Sequence, residues 1–126
     1  AGALRVAAVS AIGGAVSDAV VCGEGEDGVG LLLFRNEPYC ERLGSEAAVR
    51  DQVRAGLETL NAEAKGGGGR VTRALILADQ PDAASGEITD KGYINQALAR
   101  ERRAGDVARL FAASPDPDVL TFRESP

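Results

Sequence analysis

Asp18 to Phe34 reads DAVVCGEGEDGVGLLLF. Asp18-Ala19-Val20-Val21-Cys22 is a short run rich in apolar and β-branched side chains, and Val29-Gly30-Leu31-Leu32-Leu33-Phe34 is a second continuous apolar run. Runs of this length bounded by turn residues predict strands, and two of them around a glycine-rich acidic connection predict an antiparallel hairpin. The connection, Gly23-Glu24-Gly25-Glu26-Asp27-Gly28, also matches G-x-G-x-x-G. A pyrophosphate needs bare backbone amides at a helix N-terminus. Here Glu24, Glu26 and Asp27 would repel it and a strand comes next, so the segment is read as a hairpin turn.

Working outward, Leu4, Ala8, Ala11, Ile12, Ala15 and Val16 recur at helical spacing and predict a first helix from Leu4 to Val16, loosened by Gly13-Gly14. Asn36-Glu37-Pro38 closes the hairpin on its far side. Ser45 is an N-cap signature for a second helix whose buried face carries Val49, Val53, Leu57 and Leu60. That helix ends at Gly66 to Gly69, a flexible exit in the reverse order to a phosphate loop. Arg70 to Leu77 predicts a third strand. Tyr93 to Ala112 predicts a last helix, with Ile94, Leu98, Val107, Leu110 and Phe111 facing inward. The tail from Ser114 to Pro126 reads as an extended surface segment. The expected fold is α+β: a small three-stranded, mainly antiparallel sheet flanked by helices, with a lysine-bearing loop before the last helix. At 126 residues the chain, 1–126, is expected to form a single domain.

Composition removes several functions. The chain has no histidine, which excludes Ser-His-Asp and Cys-His nucleophile systems and histidine-bearing zinc sites, and no metal site is expected. Its net charge of -5 argues against a nucleic-acid partner, and no apolar run is long enough to span a bilayer. The arginine-dense segment from Arg100 to Arg109 also holds Glu101 and Asp106 and reads as a solvated helix face. Cys22 and Cys40 do not form a C-x-x-C pair and are read as reduced thiols, Cys22 buried, in a cytoplasmic protein.

One segment remains unassigned. Gly86-Glu87-Ile88-Thr89-Asp90-Lys91-Gly92-Tyr93-Ile94-Asn95 puts a lysine at the tip of a turn in a chain that otherwise prefers arginine. Lysine carries a compact charge on a long flexible stem, suited to reaching a carboxylate or phosphate on another surface. On these residues alone, an exposed loop lysine without a role is the plainer reading.

Ser85 to Gln96, together with Asp18 to Val21 and Val29 to Phe34, resembles the C-terminal domain of adenylate-forming acyl-CoA synthetases. The nearest branch is the feruloyl-CoA synthase type, in which an I-T-x-K-G-x-I-N pattern opens the final helix. The similarity runs from Gly2 to Phe111. Because Glu87 succeeds the Ser85-Gly86 pair, where many relatives carry lysine, the assignment rests on Ile88-Thr89-Asp90-Lys91.

The resemblance implies an acid–thiol ligase. A carboxylic acid, such as ferulate or a related hydroxycinnamate, is activated with ATP and Mg2+ as an acyl-adenylate and passed to CoA. It also implies a mobile C-terminal lid domain, partnered by an ATP-binding N-terminal domain of the same polypeptide that is absent from this chain, with Lys91 as the catalytic lysine of adenylation. The resemblance assigns no nucleotide- or CoA-binding residue in these 126 residues, and the fragment alone is expected to hold no cofactor and to be inactive. The competing reading is a stand-alone, non-catalytic α+β interaction module whose acidic surface keeps it soluble.

Overall fold

In a computed structural model, which describes residues 2–23, 28–64 and 70–122, the chain forms α1 (Gly2–Ile12), β1 (Val16–Cys22), β2 (Val29–Arg35), α2 (Glu37–Leu43), α3 (Glu46–Glu63), β3 (Val71–Leu77), α4 (Gln96–Arg102), α5 (Ala104–Leu110) and β4 (Val119–Thr121). The strands form one sheet in the order β1-β2-β3-β4. β1 and β2 pair antiparallel, as expected from the two apolar runs, with Val20 opposite Leu32 and Cys22 opposite Gly30. The turn expected at residues 24–27 and the helix exit at 65–69 lie outside the described residues.

The sheet differs from the expected one in two respects. β2 and β3 run parallel, because α2 and α3 intervene between them and return the chain to the same end of the sheet. The segment read as a surface tail instead supplies a fourth strand, β4, antiparallel to β3, and the sheet is mixed. Val119 and Leu120 are both buried, on opposite faces, so even this short strand contributes to both layers.

Every residue of β2 but the last is buried, the pattern of a central strand covered on both faces. Alternate residues sort cleanly. Ala19, Val21, Leu31, Leu33 and Ala74 join Ala8, Ile12, Val49, Val53 and Leu57 of α1 and α3. Val20, Cys22, Leu32, Phe34, Leu75 and Leu77 join Ile94, Ala99 and Leu110 on the side of α4 and α5.

Side-chain amides complete the backbone hydrogen bonding where strands lack neighbours. Asn61 of α3 donates to the Val71 carbonyl at 2.9 Å and accepts from the Val71 amide at 2.9 Å. On the outer side of β1, Gln96 accepts from the Val21 amide at 2.9 Å and donates to the Ala19 carbonyl at 2.9 Å, while Arg100 donates to the Val21 carbonyl at 2.9 Å. Arg50 and Arg54 of α3 donate to carbonyls of Pro117, Asp118 and Thr121, fastening β4.

Three helical readings are also corrected. The first helix, expected from Leu4 to Val16, ends at Ile12, where Gly13 takes the left-handed conformation at φ 83°, and Val16 opens β1. Asn36 does not merely close the hairpin. It caps α2, accepting from the Tyr39 amide, with Pro38 in the first turn and Gly44 in the left-handed conformation at its end. The expected helix from Tyr93 to Ala112 begins only at Gln96, because Tyr93 and Asn95 commit backbone groups to a hairpin, and it breaks at Arg103 into α4 and α5.

α1 and α3 meet at Gly56, where an added Cβ would lie 2.6 Å from the Ile12 Cα and 2.7 Å from the Ala11 carbonyl oxygen. Helix propensity favours alanine over glycine by about 1 kcal/mol, whereas forcing two backbones apart costs about 1–3 kcal/mol. The steric term should win: Gly56→Ala is expected to lower the urea midpoint of the chain, and a raised midpoint would show that α1 and α3 part freely.

Candidate functional site

Residues 79–95 form a looped platform on the α4–α5 side of the sheet. Ala83 to Gly86 make a single tight turn closed by Gly86 N–H to the Ala83 carbonyl (3.0 Å) and Glu87 N–H to the Asp82 carbonyl (3.1 Å). Gly86, at φ 85°, takes the left-handed position that this closure requires.

The chain then doubles back. Thr89 N–H donates to the Tyr93 carbonyl at 2.8 Å, Asn95 N–H to the Glu87 carbonyl at 2.8 Å, and Ile88 bridges Ile94. The connection is the three-residue loop Asp90-Lys91-Gly92, with Gly92 N–H bonded to the Thr89 carbonyl at 2.9 Å and Gly92 at φ 85°. This is a turn ending in a left-handed glycine, a common short hairpin closure. Thr89 Oγ1 accepts from the Tyr93 amide, and Asn95 caps α4 by accepting from the Leu98 amide.

Lys91 is exposed on this turn, with Tyr93 beside it at 58% exposure. Its ammonium makes no hydrogen bond or ion pair among the described residues. By contrast, the base of the hairpin is densely bonded. Glu87 has no exposed surface, and its carboxylate accepts from Arg103 Nε at 2.7 Å, Arg103 Nη2 at 3.0 Å, Arg102 Nη1 at 3.1 Å and the Asp82 amide at 2.8 Å. Arg103 also donates to Asp79 Oδ1 at 2.9 Å and to the Gln80 carbonyl, and its guanidinium lies 4.9 Å from the Phe34 ring centroid.

Hydrogen bonding from Arg103 holds the carboxyls of Glu87 and Asp79 below their ordinary range, and the same bonds raise Arg103. The sequence pattern puts Arg103 on a solvated face and does not single out Glu87. In the structure Arg103 is 7% exposed and belongs to this network, while Arg109 is a surface residue paired with Asp106, Asp116 and Asp118. The one signal in the sequence is a carboxylate flanked by glycine and isoleucine in a short extended piece, a position where an unpaired charge is costly.

Neither cysteine takes part. Both are free and buried; burial pushes the Cys22 thiol up to about 11 and raises Cys40. Such thiols stay protonated and are poor nucleophiles. Among the described residues no helix is long and apolar enough to cross a membrane.

Fold and site thus define a small mixed-sheet domain that presents a lysine on a turn anchored by a buried ion pair. A family model described as AMP-binding enzyme C-terminal domain matches residues 7–115, and the chain belongs to that family. Membership associates it with adenylate-forming, ligase-type enzymes and implies an N-terminal partner domain. No curated protein and no solved structure matches the chain.

The pH dependence of the Glu87 network derives from its direction of shift. Below the ordinary glutamate value of about 4.3 the unfolded chain binds protons that folded Glu87 refuses, so its contribution is present above that value and lost as pH falls through the lowered folded value. Glu87→Gln should cost about 3 kcal/mol at neutral pH and flatten the acid limb, leaving the share due to Asp79. Urea unfolding from about pH 7 down to about pH 2.5, on either side of that ordinary value, checks this; an unchanged acid limb would remove Glu87 as its source.

Proposed function

We propose that the chain is the C-terminal domain of an ATP-dependent acyl-CoA ligase, and that Lys91 is its catalytic contribution to adenylation. The observation that carries this reading is the contrast within one hairpin: Glu87, at its base, is fully buried and multiply bonded, while Lys91, at its tip, projects into solvent with no partner among the described residues. A lysine so presented is suited to a site completed by another domain. Family membership supplies that domain.

In the adenylation step, Lys91 places its ammonium between the carboxylate of the acid and the α-phosphate of ATP. It offsets the negative charge that develops as the carboxylate oxygen attacks phosphorus and pyrophosphate leaves. In the second step the CoA thiol attacks the acyl carbon and AMP departs, with Lys91 withdrawn as the domain turns about a hinge. The N-terminal domain carries the ATP and acid pockets, with Mg2+ accompanying ATP there. The pattern from Ile88 to Asn95 supports the feruloyl-CoA synthase branch, with ferulate or a related hydroxycinnamate as the acid, acting in the cytoplasm.

Lys91→Ala in the full-length enzyme tests the assignment. Pyrophosphate release on mixing acid and ATP should fall about 100-fold to 1000-fold, the usual cost of removing a charge-stabilising contact made in the transition state. Thioester formation from supplied acyl-adenylate should be nearly unchanged. Lys91→Arg should restore adenylation only in part, because a planar guanidinium does not reproduce the reach of an ammonium. Lys65→Ala should leave both steps intact. Equal loss in both half-reactions, or loss in neither, would overturn the role of Lys91.

A further inference from the structure

The hairpin that carries Lys91 has few bonds of its own. Two cross-strand backbone bonds and one turn bond join Glu87–Thr89 to Tyr93–Asn95, and an isolated two-stranded hairpin of this size is marginal in water. Its direction must be set from outside. Ile94 and Ile88 seat the hairpin on the core, and the directional polar contacts converge on Glu87, whose backbone belongs to the hairpin and whose carboxylate reaches beyond it.

The Glu87 carbonyl accepts from Asn95 N–H, which opens α4, while its amide closes the preceding turn on Asp82. Its carboxylate meanwhile grips Arg103, at the break between α4 and α5, and Arg103 lies over Phe34 of the central strand. The bidentate pair thus ties the first residue of the hairpin to the sheet and to the junction of two helices. A bidentate arginine–carboxylate contact fixes orientation as well as distance.

We infer that Glu87 and Arg103 are positioning residues for adenylation: the buried pair sets the direction of the hairpin and, four residues on, the reach of Lys91. The pair touches no substrate. The inference rests on the proposed role of Lys91 and adds that the ion pair conveys its effect only through that lysine.

A double-mutant cycle in the full-length enzyme tests it, with hydrogen exchange on the same proteins. Glu87→Gln keeps the shape of the side chain and Arg103→Lys keeps the charge but not the fork. Each should lower the rate of adenylation by about 10-fold to 100-fold, the scale of a small misplacement of a reacting group, with less change in the KM for ATP and none in thioester formation from supplied acyl-adenylate. In the Lys91→Ala background the same substitutions should add almost no further loss, because residues acting as a unit are non-additive.

The amides of Thr89, Gly92 and Asn95 should exchange faster in Glu87→Gln by a larger factor than those of β2, which follow only the global loss of stability. A full additional loss in the Lys91→Ala background would overturn the inference, as would unchanged hairpin exchange or matched loss of both half-reactions. If Lys91→Ala alone leaves adenylation intact, the proposed role of Lys91 fails, and selective loosening of the hairpin still decides whether the pair orients it.

Discussion

The architecture depends on burial of β2 from both sides. Six consecutive residues from Val29 to Phe34 are inaccessible, and an apolar strand of that kind can be stable only if each face of the sheet is covered. α1 and α3 satisfy one face. The other must be covered by the chain beyond β3, so α4, α5 and the segment before them are drawn onto Leu32, Phe34, Leu75 and Leu77. The position of the Lys91 hairpin is therefore a by-product of core formation.

That second layer is unusual in the group it places beside the core. Phe34 is fully buried, yet it has a guanidinium stacked on it, and the charge is tolerated because Arg103 directs its donors to Glu87, Asp79 and the Gln80 carbonyl. A buried ion pair is weak evidence for net stability, since desolvation offsets much of the attraction. An apolar pair of equal volume could fill the same space. It would not fix the angle at which the hairpin leaves the domain, and orientation is what the charged pair provides that packing alone does not.

The sequence is most readable where a local signal matches the final environment. The apolar runs of β1 and β2, the Ser45 cap and the stripe of Val49, Val53 and Leu57 all behave as their patterns require. The direction of β3 is not readable, because strand polarity is set by the length and path of the connection. β4 escapes the pattern because only Val119 and Leu120 mark it, among prolines. Periodicity overextends the Tyr93 to Ala112 helix, since the apolar spacing continues through the hairpin strand at Ile94 and across the break at Arg103. Glu87 and Arg103 lie sixteen residues apart, on a turn and a helix junction, and no periodicity links them.

The amide of Gln96 and the guanidinium of Arg100, which complete the backbone bonding of β1, also bear on how this edge of the sheet meets other chains. An open edge strand with free carbonyls and amides invites another chain to add to the sheet, and its hydrogen-bonding groups supply the affinity without regard to sequence. Here the Ala19 carbonyl, the Val21 amide and the Val21 carbonyl are already engaged from the side by α4. The edge is closed by the protein's own side chains, so a neighbouring copy would have to displace α4, and with it the base of the hairpin, before it could dock. A domain that works beside a partner domain can thus present this edge of β1 without presenting a template for aggregation.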